Sequence, residues 1–393
     1  QPRLFDQAFE LVDDPHTYFQ AVQRISYELD PSTERYIADQ SEPKQYDDAA
    51  DTLEHAVESG LSTLAICNTI DSARELTDRV GDSGVLDVGT LYEAELQDRT
   101  QAGADIDPEA FADRVQSATG RPLVHLSTRL RPVDRLTLIE TAKRLTEREC
   151  PVLVISTQLI EAGVDISFDR VYRDLAPIDS IVQAAGRCNR SFERERGTVT
   201  VWWLDVPDDQ RKTPAEAVYN RGTTLLPLVA ETLRHVREDS GELTETDVAR
   251  TSVRRYFERL REDKDVGKQE YAEFVDAAKA EKLSELSLID QRRSAEVVVA
   301  RTAKERERLE GIREAQEEYD YAKLSDLLEE TKPLRISVPY YREDSDRADA
   351  IRELPVLVED QGIYLLDVRE HSTKFDATTG FVVPESSIDH QFL

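Results

Sequence analysis

The sequence predicts an α/β protein: a parallel sheet with helices on both faces, followed by a helical region and a small β-containing C-terminal domain. Three observations carry this. Between Leu61 and Leu204, short runs rich in β-branched residues alternate with amphipathic helical stretches, the pattern of a parallel sheet covered on both sides. Between Pro207 and Pro214 the composition shifts to Asp, Gln, Arg and Lys, as at a domain boundary. After Leu334 three short strand-like runs replace the helical periodicity.

Residues 1–45 read as a lead-in segment from an upstream lobe, with a strand at Gln23–Leu29 and a polar connection at Asp30–Lys44 containing Pro31 and Pro43. The α/β unit is expected over 46–207. A helix runs from Tyr46 to about Ser59 and is ended by Gly60, which adopts the left-handed backbone of a helix C-terminus readily. The strand Leu61–Cys67 follows, then Asn68-Thr69, with Asp71 as a cap for the helix Ser72–Val80. Asp82–Gly120 is polar and glycine-rich and reads as an insertion with one helix, Pro108–Ala118. Leu123–Leu126 is a strand ending in Ser127-Thr128-Arg129, Val133–Arg148 a helix, Val152–Ile155 and Arg170–Asp174 strands, and Thr198–Leu204 a closing strand.

Residues 208–332 read as a helical accessory region: Ala215–Val236, Thr246–Arg261, Gln269–Leu286, and a highly charged, solvated helix at Lys304–Glu318. The terminal domain, 333–393, holds strands at Ile336–Tyr340, Leu354–Val358 and Ile363–Val368.

Composition narrows the class. No apolar run approaches the ~18 residues of a membrane span, so no membrane partner is expected. Three scattered cysteines, Cys67, Cys150 and Cys188, suit neither a disulfide framework nor a zinc site, and a reducing cytoplasm is the expected setting. The chain carries 50 basic and 80 acidic residues, a net charge of −30, and 11 of the basic residues are Lys. Acid-rich, lysine-poor surfaces resemble those of proteins from salt-loving organisms, so global charge does not argue against a polyanionic partner and local arginine clusters carry the information. The chain begins with Gln and contains no methionine, which is read here as the mark of an internal piece of a longer polypeptide.

The informative stretch is Val152–Arg190. A buried-strand run leads into a turn where Gly163 supplies backbone freedom beside Glu161 and Asp165. Further on, Gln183, Gly186, Arg187 and Arg190 fall at offsets of 3, 4 and 7, which would place them on one helical face. Guanidinium is planar, permanently charged and forked, and grips phosphate oxygens in two places. The bland alternative is that these arginines pair with Asp174, Asp179 or Glu193 at the surface.

The wording STQLIEAGVDI followed by QAAGRCNR resembles motifs V and VI of superfamily 2 helicases, whose second RecA-like lobe carries Gln-x-x-Gly-Arg-x-x-Arg. With Asp174-Leu175-Ala176-Pro177-Ile178-Asp179-Ser180 between them, the stretch is most similar to the CRISPR-associated helicase-nuclease of type I systems, and Lys374–Phe381 resembles a short signature near the end of that family. The resemblance implies a RecA-like sheet over 46–207 and ATP with Mg2+ in a cleft shared with a first lobe. It implies that Gln183 orients the γ-phosphate or the attacking water, that Arg187 and Arg190 stabilise the transition state, and that Gly163 and Asp165 face the nucleotide. The bland alternative for Asp165 is a helix or turn cap. Thr157 and Gln158 would touch a nucleic-acid backbone, with Asn68, Thr69, Ser127 and Arg129 continuing the phosphate track beside Asp134-Arg135. Taken alone, Asn68-Thr69 is an ordinary strand-to-helix turn. Trp202-Trp203 could stack a base or pack in the core.

The sequence contains no G-x-x-x-x-G-K-[ST] loop, no Asp-Glu-x-His or Asp-Glu-Ala-Asp box, and no His-Asp pair; its six histidines are scattered, so no metal site is expected. The chain alone is therefore expected to be inactive. The resemblance implies single-stranded DNA, a guide-RNA surveillance complex, and an upstream first lobe and nuclease domain of the same polypeptide as partners. Two alternatives remain at this stage: the second lobe of another superfamily 2 helicase, and a noncatalytic binding subunit that docks on a separate first lobe.

Overall fold

The computed structural model describes residues 23–81, 84–101, 106–161, 163–208, 210–220, 225–240, 243–263, 293–340 and 345–384, together with 17, 18, 274, 277 and 279. The expected helix Gln269–Leu286 lies almost wholly outside them.

Eight strands form the main sheet: β1 (Ile25–Leu29), β2 (Thr63–Cys67), β3 (Leu86–Asp87), β4 (Pro122–Leu126), β5 (Leu153–Thr157), β6 (Arg170–Asp174), β7 (Gly197–Trp202) and β8 (Leu243–Thr244). Their spatial order is β3-β4-β5-β2-β6-β7-β1-β8, and every pairing is parallel except β1 with β8. Successive side chains of a strand face opposite ways, and the core divides accordingly. Leu64, Ile66, Val124 and Val154 join one apolar layer, while Ala65, Cys67, Leu123, Leu153 and Ile155 join the other.

Helices α1 (Pro31–Ile37), α2 (Tyr46–Glu58), α3 (Ile70–Gly81), α4 (Val88–Gln101), α5 (Pro108–Ser117), α6 (Pro132–Glu147) and α7 (Ile178–Ala185) connect these strands. The segment 82–120 holds two helices and the edge strand β3 where one helix was expected. Strand β1 lies inside the sheet between β7 and β8, so the lead-in segment is structural to the lobe. Its partner Gly197–Val201 is distant in sequence, which is why local pattern alone did not place it.

Beyond the lobe, α8 (Pro214–Tyr219), α9 (Leu226–Ser240) and α10 (Val253–Asp263) pack back on it, and Ala215–Val236 is two helices rather than one. A second sheet of β9 (Arg293–Ala300), β10 (Arg335–Tyr340), β11 (Val356–Val358) and β12 (Ile363–Asp367) has the order β10-β9-β12-β11. Its strand β9 comes from the stretch expected to be helical, because Ala295-Glu296-Val297-Val298-Val299-Ala300 is β-branched and was masked by charged flanks. Helices α11 (Ala303–Glu317), α12 (Tyr321–Glu330) and α13 (Asp346–Arg352) belong with this sheet, and α11 is not wholly solvated: Leu309, Ile312 and Ala315 are buried. A two-stranded hairpin, β13 (Phe375–Asp376) and β14 (Gly380–Phe381), completes the described chain.

The hairpin docks on the main lobe. The Phe381 amide donates to the Arg129 carbonyl at 2.9 Å, and Arg74 donates to the Phe381 carbonyl at 2.6 Å. Gly380 has φ +84°, and a Cβ there would lie 2.2 Å from the Arg129 carbonyl oxygen, so both backbone shape and space require glycine. The short signature at Lys374–Phe381 therefore has a structural meaning: it is the clasp between the two units.

Candidate functional site

The carboxyl ends of β2, β5 and β6 converge, as expected for the functional edge of an open parallel sheet. At the end of β6, Arg173 and Asp174 are both fully buried. Arg173 donates to the Asn68 side-chain oxygen at 2.6 Å, to the Asp174 carbonyl at 2.9 Å and to the Tyr219 hydroxyl at 3.3 Å, and its Nε lies 3.0 Å from Glu161. Asp174 accepts from Asn68 at 2.7 Å and from the Leu175 and Leu204 amides at 3.0 and 3.2 Å. Burial pushes the Asp174 carboxyl up to about 7, against the pull of these donors and of Arg173. Burial likewise raises Glu161, which Arg173 opposes.

Motif V lies on this platform. Thr157 ends β5, and Gln158–Glu161 forms a 3-10 turn. Gln158 donates to the Tyr219 hydroxyl, so that hydroxyl joins Gln158 to Arg173. Gly163 is exposed with φ +75° and open space where a Cβ would stand, so here the backbone shape alone demands glycine.

The motif VI residues do not share a helical face. Helix α7 ends at Ala185, and Asn189 takes a left-handed φ of +44°. The Asn189 side chain bonds the carbonyls of Arg24 and Arg194 at 2.9 Å each, which fixes the turn. The two arginines consequently diverge. Arg187 is buried and turned onto motif V, donating to the Ile160 carbonyl at 3.0 Å and the Glu161 carbonyl at 2.6 Å. Burial lowers its pKa, with Arg190 adding to the effect. Arg190 is exposed and pairs with exposed Asp165 at 3.0 Å, while Gln183 is exposed two residues before the helix end.

Other expected positions are differently engaged. Asn68 is buried with its amide committed to Arg173, Asp174 and the Leu175 carbonyl, so its side chain does not face a strand. Thr69, rather than Asp71, caps α3: its hydroxyl accepts from the Ser72 amide at 3.1 Å. Ser127 is fully buried and accepts from the Arg129 amide; Arg129 is itself buried beneath the clasp hairpin. Asp134 is buried in an ion network with Arg131 and Arg301. Trp202 and Trp203 are both core, stacked on Tyr172 and set edge-on to Tyr36.

Sequence reasoning did not single out Arg173 or Tyr219, which join the polar network at this edge. An Arg-Asp pair inside a buried strand was the available signal for Arg173; nothing local pointed to Tyr219.

Comparison with known proteins shows what the chain is similar to. A family model described as CRISPR-associated nuclease/helicase Cas3, C-terminal, matches residues 59–193. A CRISPR-associated nuclease/helicase Cas3 from Haloferax volcanii is 35% identical over 366 residues, covering 82% of this chain and 38% of that relative's length. A CRISPR-associated endonuclease/helicase Cas3 from Thermus thermophilus is 27% identical over 148 residues, 34% of this chain and 15% of the relative. A solved structure described as a CRISPR-associated protein shares the fold with a TM-score of 0.51 at 15% identity, covering 93% of this chain and 41% of that one. The chain thus spans about two fifths of the Haloferax relative's length, and its residues 59–193, which include motifs V and VI, match the C-terminal model of the CRISPR-associated nuclease/helicase Cas3 proteins to which it is similar.

Proposed function

We propose that this chain forms the second lobe and C-terminal region of an ATP-dependent DNA helicase in CRISPR antiviral defence, completing an ATP cleft with a first lobe. The observation that carries this reading is the division of labour in motif VI: Arg187 braces the motif V turn, whereas Arg190 and Gln183 are exposed and Arg190 pairs with exposed Asp165 of motif V. An exposed Arg–Asp pair contributes about 0–1 kcal/mol, so Arg190 can exchange Asp165 for phosphate at little cost.

The residues at this edge suit one wall of a triphosphate site. Bound ATP supplies the phosphoanhydride whose cleavage drives the motor. Arg190 neutralises the charge that develops on the phosphates, Gln183 orients the attacking water, and Gly163 allows close backbone approach. Mg2+ accompanies ATP in the cleft shared with the lobe that carries the phosphate loop. Thr157 and Gln158 meet the backbone of single-stranded DNA; Asn68 and Thr69 contribute main-chain groups beside them, and Ser127 and Arg129 support the track from beneath the hairpin. The DNA is delivered by a guide-RNA surveillance complex.

The test combines this chain with a lobe carrying a phosphate loop and DExx box and follows ATP hydrolysis with and without single-stranded DNA. DNA-stimulated hydrolysis that needs both components supports the reading. Hydrolysis indifferent to this chain overturns it.

A further inference from the structure

Tyr219 lies outside the segments that carry the motifs, yet its hydroxyl is the point where the motif V turn meets the buried Arg173 at the end of β6. It accepts from Gln158 of the motif V turn and from Nη2 of Arg173 at 3.3 Å. The helix that delivers it is anchored: Thr213 and Glu216 form a reciprocal capping box, and the Trp203 indole donates to the Thr213 hydroxyl at 3.2 Å. Arg173 is immobile as well, being fully buried and held by Asn68, the Asp174 carbonyl and Glu161. Glu161 in turn offers its main-chain carbonyl to Arg187 at 2.6 Å. A continuous set of contacts therefore runs from motif VI through Glu161 and Arg173 to Tyr219 and Gln158.

We propose that Tyr219, backed by Arg173, is a positioning residue that fixes the Gln158 amide for contact with the nucleic-acid strand and so sets the enzyme's affinity for DNA. This rests on the functional reading above and deepens it. An unheld glutamine side chain samples many rotamers and must be ordered at each binding event; a side chain already held by a fixed hydroxyl does not incur that entropy loss. The phenol serves here as an acceptor between two donors. Burial, the leading influence, raises its pKa, although Arg173 opposes this, so it remains protonated at neutral pH.

The experiment uses Tyr219→Phe in the complete two-lobe enzyme, since this removes one oxygen and keeps the ring. The expected result is a roughly tenfold rise in the concentration of single-stranded oligonucleotide giving half-maximal ATPase, corresponding to the loss of about 1.4 kcal/mol. DNA-independent hydrolysis and the rate at saturating DNA stay within about twofold. Arg173→Lys, which keeps the buried charge and loses the fork, shifts the same concentration in the same direction. An unchanged half-stimulating concentration in Tyr219→Phe overturns the proposal, as does a fall in DNA-independent hydrolysis accompanied by a lower melting temperature. If the unmodified two-lobe enzyme shows no DNA stimulation, the functional reading itself fails.

Discussion

Asp134, in the first turn of α6, and Arg301, just beyond β9, meet at 2.6 Å in the buried junction between the two units. Arg131 closes the other side of the same carboxylate with two donors at 2.7 Å each, and its remaining nitrogen reaches Glu305 at 2.8 Å and the Val299 carbonyl at 3.0 Å. Although burial opposes ionisation, the two guanidiniums hold the Asp134 carboxyl down at about 2. Removing the charge would leave two buried guanidiniums one carboxylate short, Arg131 keeping Glu305 and Arg301 keeping Glu93, so Asp134→Ala should cost up to about 3–5 kcal/mol. The sign with pH follows from a folded-state value below the ordinary 3.8: the stabilisation is present above 3.8 and is lost as pH falls toward 2. Urea titrations of both proteins should show a wide gap at pH 7 that narrows below about pH 4. A gap independent of pH would show that Asp134 does not act through its charge.

Asp174 behaves in the opposite way. Its folded-state value of about 7 lies above the ordinary 3.8, so folding favours the protonated form. Its contribution is complete below 3.8 and is lost as pH rises through about 7. The protein should therefore lose stability relative to Asp174→Asn between about pH 4 and pH 7, with no further change above. Differential urea midpoints across that range check this; a difference that is flat with pH would refute it.

The clasp offers a mechanical prediction. In Gly380→Ala the new methyl meets the Arg129 carbonyl and the backbone keeps a left-handed φ, so the variant should lose about 1–3 kcal/mol, chiefly by undocking the hairpin. Amide exchange at Phe381, whose N–H bonds the Arg129 carbonyl, should accelerate well before the main sheet does. Equal acceleration throughout would mean that the clasp and the lobe unfold as one.

The main sheet was largely legible in the sequence because buried parallel strands are short apolar runs bounded by polar turns, and β2, β4, β5 and β7 take that form. Strand β1 was legible as a strand though not as a member of the main sheet, and β8 and β9 were missed, since their pairing depends on partners far along the chain. The motifs fall at the carboxyl ends of β5 and β6, but spacing alone treated Gln183 to Arg190 as one helix. The helix stops at Ala185, and the turn at Asn189, held by the carbonyls of Arg24 and Arg194, sends Arg187 inward and Arg190 outward. No periodicity argument could separate those two roles. Asn68 shows the same limit: a polar residue at a strand end was read as facing a ligand, whereas the buried Arg173–Asp174 pair claims its whole side chain.

The central claim is that Arg190, rather than its buried neighbour, acts on the nucleotide. The most direct measurement is single-turnover ATP hydrolysis by the two-lobe enzyme at saturating DNA, comparing Arg190→Ala with the unmodified protein and following amide exchange over 158–163 in parallel. The account predicts a fall in rate of about 10³-fold or more with the motif V turn unaltered. Hydrolysis at the unmodified rate by Arg190→Ala would contradict it.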